Sequence, residues 1–147
     1  MTLSRRDLQR LAELRAREAG ALSRSRKQQG AYYLAGYAVE CALKACIAKK
    51  TKRHDFPDRS LANKVYTHDL TALLREAGLE AELDRDMQAN PALAANWNTV
   101  KIWKEESRYV TTGLRGRDLH LAITGTDGVL PWITLNQLSA NQKFAGA

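Results

Sequence analysis

Residues 31–50 read AYYLAGYAVECALKACIAKK. The stretch forms one helix with apolar residues on almost every face, the pattern of a helix buried at the centre of a small domain. Two charges interrupt it. Glu40 and Lys44 stand four apart with the acid first, the favourable order for a pair on one helical face. A charged pair in such surroundings costs desolvation unless its members face each other or reach a partner. Buried, the pair is a structural polar spot that fixes helix register, the reading preferred here. Exposed in a groove, Lys44 instead meets a phosphate.

The flanking segments supply helices to pack around this centre. Residues 4–24 place Leu8, Leu11, Ala12, Ala19 and Leu22 on one face, opposite a face rich in arginine. Residues 25–30 are a polar joint, and 51–66 read as a long, mobile loop around Pro57. Thr67 is expected to cap a third helix with the stripe Leu70, Leu73, Leu74 and Ala77, stopped by Gly78. An acidic helix follows over 80–88. Asn90-Pro91 then opens a helix carrying Trp97, Val100, Ile102 and Trp103. Trp97, Trp103 and Trp132 read as core or dimer surface rather than as platforms for bases. Residues 105–116 read as a loop, and a last helix over about 117–137 is bent or broken at Gly125, Gly128 and Pro131. With no sustained apolar/polar alternation, the expected fold is all-α: an up-and-down bundle of four to five helices. It forms one domain over residues 4–137, followed by a frayed tail at 138–147.

Composition narrows the function classes. Three prolines and nine glycines in 147 residues exclude a collagen-like or low-complexity chain. Cys41 and Cys46 point in different directions from one helix and cannot bridge each other. Together with a charged segment 1–8 that offers no apolar signal core, this gives the expectation of a reducing cytoplasm. The histidines are scattered without a Cys/His cluster, so no zinc motif is read and neither metal nor cofactor is expected. The longest apolar run, 31–39, is halted by Glu40 and is far short of a bilayer span, so no membrane partner is expected. The net charge of +7 is uneven: residues 1–29 hold eight basic and three acidic side chains, residues 65–90 two basic and six acidic. The basic part is either a face that meets phosphates or a solvated helix surface.

Four motifs then occur in order: Glu40-Cys41-Ala42-Leu43-Lys44 on an aromatic-rich helix, Thr67-His68-Asp69-Leu70 through Leu74, Trp103 with Ser107-Arg108-Tyr109, and Gly128-Val129-Leu130-Pro131-Trp132-Ile133. In this order they resemble a stand-alone HEPN domain (the higher eukaryotes and prokaryotes nucleotide-binding family) over residues 4–137. The resemblance implies a bundle of four or five helices, often homodimeric, that binds RNA or nucleotides. That family includes RNA-cleaving proteins of toxin–antitoxin and defence systems, members found beside nucleotidyltransferases, and members without demonstrated activity. A nucleotidyltransferase or an antitoxin is therefore an implied partner. Catalytic members carry an arginine followed a few residues later by a histidine. The arginine holds the scissile phosphate and offsets its growing charge, and the histidine moves a proton, with no metal required.

Here that spacing is Arg115-Gly116-Arg117-Asp118-Leu119-His120. The resemblance makes Arg115 and His120 the candidate catalytic pair of a metal-independent endoribonuclease, with Arg117, Arg108 and Lys44 assisting substrate binding. Gly116 stands where the family commonly has Asn, Asp or His. The plainer alternative is an arginine-rich loop beside an ordinary helical histidine. His68 is read as packing near a helix start while Asp69 answers the helix dipole. Arg108 and Tyr109 either present a guanidinium and a ring to a nucleotide or anchor their loop to Glu40 or to the acidic helix. Three functions follow: a HEPN-type RNA- or nucleotide-associated protein, catalytic where Arg115 and His120 act as above; a non-catalytic helical module for a nucleotide or a partner protein; and a basic nucleic-acid-binding bundle.

Overall fold

The structure, a computed structural model, describes the backbone of residues 3–51 and 66–145 and the side chains of residues 3–50 and 66–137. Helices are the regular secondary structure of the described residues, with no strand among them. They form α1 (Arg5–Arg24), α2 (Gln28–Thr51), α3 (Leu70–Glu76), α4 (Glu80–Ala89), α5 (Pro91–Val100), a 3-10 turn (Glu105–Tyr109), α6 (Gly116–Thr124) and α7 (Val129–Ala145). These are seven α-helices where four to five were expected. All but the ends of the expected 51–66 loop lie outside the described residues.

Local chemistry sets most boundaries. Ser4 and Asp7 cap α1 reciprocally: the Asp7 amide donates to Ser4 Oγ at 3.1 Å and the Ser4 amide to Asp7 Oδ2 at 3.0 Å. At the other end Arg26 takes a left-handed conformation (φ 60°), which lets the Lys27 amide reach the Leu22 carbonyl at 2.8 Å. The cap of α3 is Asp69, not Thr67. Its Oδ1 accepts from the amides of Thr71 (3.0 Å) and Ala72 (3.2 Å), whereas the Thr67 hydroxyl accepts only from the Asp69 amide (3.1 Å). A carboxylate serving two orphan amides outcompetes a hydroxyl two residues earlier. Asn90 caps α5 ahead of Pro91, as its sequence predicts.

The expected last helix is two helices. The break falls at Gly125–Gly128, where a Cβ on Gly128 would lie 2.4 Å from the Ile123 carbonyl oxygen. Pro131 sits inside the first turn of α7, where its missing amide costs no hydrogen bond. The α7 backbone stays helical to Ala145, through most of the segment expected to fray.

The architecture centres on α2, against which α1, α3, α6, α7 and the 3-10 turn all pack. Its alanines allow this close approach: Ala31, Ala35, Ala38 and Ala45 are fully buried with Val39 and Leu43. Gly36 is required by one contact, since a Cβ there would fall 2.3 Å from the Trp103 ring. Trp97, Trp103 and Trp132 are all buried, and the Trp132 indole donates to Asp86 Oδ2 at 2.8 Å. Ile102, expected on the same helix as Trp97, lies past the end of α5 and is exposed.

Candidate functional site

The two members of the arginine–histidine motif meet different surroundings. Arg115 lies just before α6 with its side chain 86% exposed, and its nearest charge is Asp118 Oδ2 at 4.0 Å. His120 lies further along α6 and turns onto α1, where its Nε2 and Cε1 cover Gly20 beside the Arg24 guanidinium. Burial lowers the His120 pKa below its ordinary value; the Ala16 carbonyl opposes this and the Arg24 charge adds to it.

Packing explains the glycine between them. A Cβ on Gly116 would lie 2.2 Å from the Gln28 carbonyl oxygen and 2.7 Å from Ala31 Cβ. The start of α6 is thus pressed onto the start of α2. Two glutamines fasten it there: Gln28 Oε1 accepts from the Arg117 amide at 2.8 Å, and Gln29 Oε1 from the Leu114 amide at 3.0 Å. Gln29 Nε2 also donates to the Thr111 carbonyl at 3.1 Å. A larger side chain at position 116 has no room, and the amide of Arg117 is not open to a ligand. The Arg117 side chain is exposed.

The denser constellation surrounds Glu40. Its carboxylate is 2% exposed and has two basic neighbours: Lys44 Nζ donates to Oε2 at 3.3 Å, and His68 Nδ1 lies 2.7 Å from Oε1. The other imidazole nitrogen, His68 Nε2, lies 2.9 Å from Glu105 Oε2. Arg108 Nη1 donates to the second Glu105 oxygen at 2.9 Å, and Arg108 Nη2 to the Tyr109 phenol at 2.8 Å. The guanidinium lies 4.7 Å from the Tyr109 ring centroid. The Tyr109 phenol, foremost, and Glu105 favour the charged form of Arg108. An unbroken polar chain thus runs from Lys44 on α2, through Glu40, His68 and Glu105, to Arg108 and Tyr109 on the 3-10 turn. Of the residues expected to bind substrate, Lys44 and Arg108 are joined by this chain, while Arg117 lies apart from it on α6. Tyr33 stacks on both Tyr37 (6.0 Å) and Trp103 (6.2 Å) beside the same helix.

Sequence reasoning found both ends of this chain and missed its middle. His68 does more than pack beside a helix start, and Glu105 was not singled out. A buried acid in an apolar helix demands basic partners, and His68, just before the amphipathic α3, is one of them. That demand was the legible signal; the partner's identity was not.

A further feature lies on the solvent side of α1. Arg6, Arg10, Arg17 and Arg24 are all exposed. Seven residues make about two turns, so the four share one side of the helix, with Glu13 the acidic residue among them. No salt bridge engages any of the four among the described residues. Elsewhere, burial pushes the thiols of Cys41 and Cys46 up to about 11, which leaves both as inert core groups. No cluster of three metal-ligating side chains occurs among the described residues, and no helix there is long and apolar enough to cross a membrane.

No protein-family model matches the chain, and searches of curated proteins and of solved structures give no significant match.

Proposed function

We propose that this chain is a HEPN-like helical protein that binds RNA or nucleotides through the arginine face of α1. The observation that carries this reading is the stripe of Arg6, Arg10, Arg17 and Arg24, exposed and outside any salt bridge among the described residues. Guanidinium groups spaced along one helix side suit successive phosphates of a flexible strand, which they bind through charge and paired N–H donors. The four ordered motifs support the family reading. Binding is preferred to cleavage because one chain holds Arg115 in solvent and His120 against α1. Cleavage by that pair belongs to a homodimer in which a second subunit completes each site.

Fluorescence anisotropy with a labelled single-stranded RNA tests the binding reading. Affinity should fall steeply with salt, and the double substitution Arg17→Ala with Arg24→Ala should flatten the log–log salt slope by about 1.4, two phosphate contacts at about 0.7 each. No RNA binding, or an unchanged slope in the double variant, overturns the reading. The same RNA incubated with chelator and sized on a gel tests cleavage, with His120→Ala as the control.

A further inference from the structure

We infer that His68 is a protonated clamp that ties the 3-10 turn Glu105–Tyr109 to α2, and that loss of its proton releases the turn. This rests on the contacts around the imidazole and is independent of RNA binding. His68 presents Nδ1 to Glu40 Oε1 at 2.7 Å and Nε2 to Glu105 Oε2 at 2.9 Å. With both acids ionised their oxygens only accept, and a neutral imidazole has one N–H, so the two contacts together then call for the imidazolium form.

The groups around the ring are built for that charge. From α2 it faces Glu40, whose second oxygen takes Lys44. From the 3-10 turn it faces Glu105, whose second oxygen takes Arg108. On its own segment Asp69 is committed to the amides that open α3. Charges therefore alternate from Lys44 to Arg108, with His68 as the central cation. At 40% exposure the His68 side chain can exchange its proton with water.

The two bridges are unequal once the proton leaves. Glu40 is 2% exposed and has no route to solvent, so it keeps the remaining N–H. Glu105 is 24% exposed and can exchange its imidazole contact for water. Release therefore falls on the Glu105 side. Arg108 and Tyr109 go with it, because Arg108 is bonded to Glu105 and to the Tyr109 phenol. The clamp decides where the exposed Arg108–Tyr109 pair points, and it opens as pH rises.

NMR on the full-length, nitrogen-15-labelled chain tests this. The His68 ring nitrogens and the backbone amides of residues 105–110 are followed from about pH 5 to about pH 8.5, a range in which histidine side chains in general change charge. The amides should shift with the same midpoint as the ring. Glu105→Gln should uncouple them, since the new carboxamide can donate to the neutral Nε2 and hold the turn in both protonation states. His68→Gln, which has no titrating ring and donates only from its carboxamide nitrogen, should show no amide step and serves if Glu105→Gln does not fold. Turn amides that ignore the ring titration in the wild type, or that follow it equally in Glu105→Gln, overturn the inference.

Discussion

His68 Nδ1 lies 2.7 Å from Glu40 Oε1, joining the middle of the buried helix to the segment that leads into α3. The acid is thereby held between two basic side chains, with Lys44 on its other oxygen. Removing its charge leaves Lys44 and His68 facing a neutral group, and both side chains keep some contact with water. Glu40→Gln should therefore lower stability by about 2–3 kcal/mol, at or below the range for breaking a buried pair. Urea unfolding at neutral pH measures it, and a loss below about 0.5 kcal/mol, the range of neutral surface changes, contradicts the buried network.

Gly116→Asn restores the residue type that the HEPN pattern favours after the arginine, and it should damage the fold without creating activity. A Cβ at that position meets the Gln28 carbonyl at 2.2 Å, so α6 must lift from α2. The expected cost is about 3 kcal/mol, the upper part of the overpacking range. Thermal melting and an RNA-cleavage assay check the two halves of the claim; a variant as stable as the wild type would show that the helices are not in close contact there.

His120 should make the fold weaker in acid. Its burial against α1 lowers its pKa, so below about pH 6.5 the unfolded chain binds this proton more readily than the folded one. Its contribution is complete above the unfolded value and is lost as pH falls through the depressed folded value. Other groups also titrate over this range, so the comparison is with His120→Gln. The stability difference between wild type and variant should shrink from about pH 7.5 toward about pH 5. Urea unfolding across that range measures it, and a difference that stays constant rules the linkage out.

Arg115→Ala should change stability by less than about 0.5 kcal/mol, since an isolated surface side chain contributes little. The 86% exposed guanidinium has only a distant carboxylate beside it. Thermal unfolding checks this, and a larger loss would mean that Arg115 is engaged in the fold.

Asp69→Ala should cost about 1 kcal/mol through loss of the α3 cap, and Thr67→Ala clearly less. The order follows from the two amides served by Asp69 against the one served by Thr67. Chemical denaturation of the two variants decides it, and the reverse order would move the cap back to the threonine.

The helices were legible because their signals are local. Ser4 with Asp7, Asn90 with Pro91, and the apolar stripe of residues 70–74 can each be read within a few residues. The cap at Asp69 was misplaced by two positions because Thr67 and Asp69 both suit an N-cap, and only the direction of the chain selects the one that reaches the next amides. The break in the last helix was readable from its glycines. The different surroundings of Arg115 and His120 were not, because spacing in sequence says nothing of which neighbour each side chain meets.

By itself the sequence determined an all-helical chain, a central helix at residues 31–50 and a charged pair on it, since helical periodicity and the cost of buried charge are properties of short stretches. Only the tertiary structure decided that Glu40 meets His68 as well as Lys44, that His68 reaches on to Glu105, and that Gly116 is demanded by Gln28. Those contacts join residues far apart in the chain. They depend on how α2, α6 and the 3-10 turn pack, which no local pattern specifies.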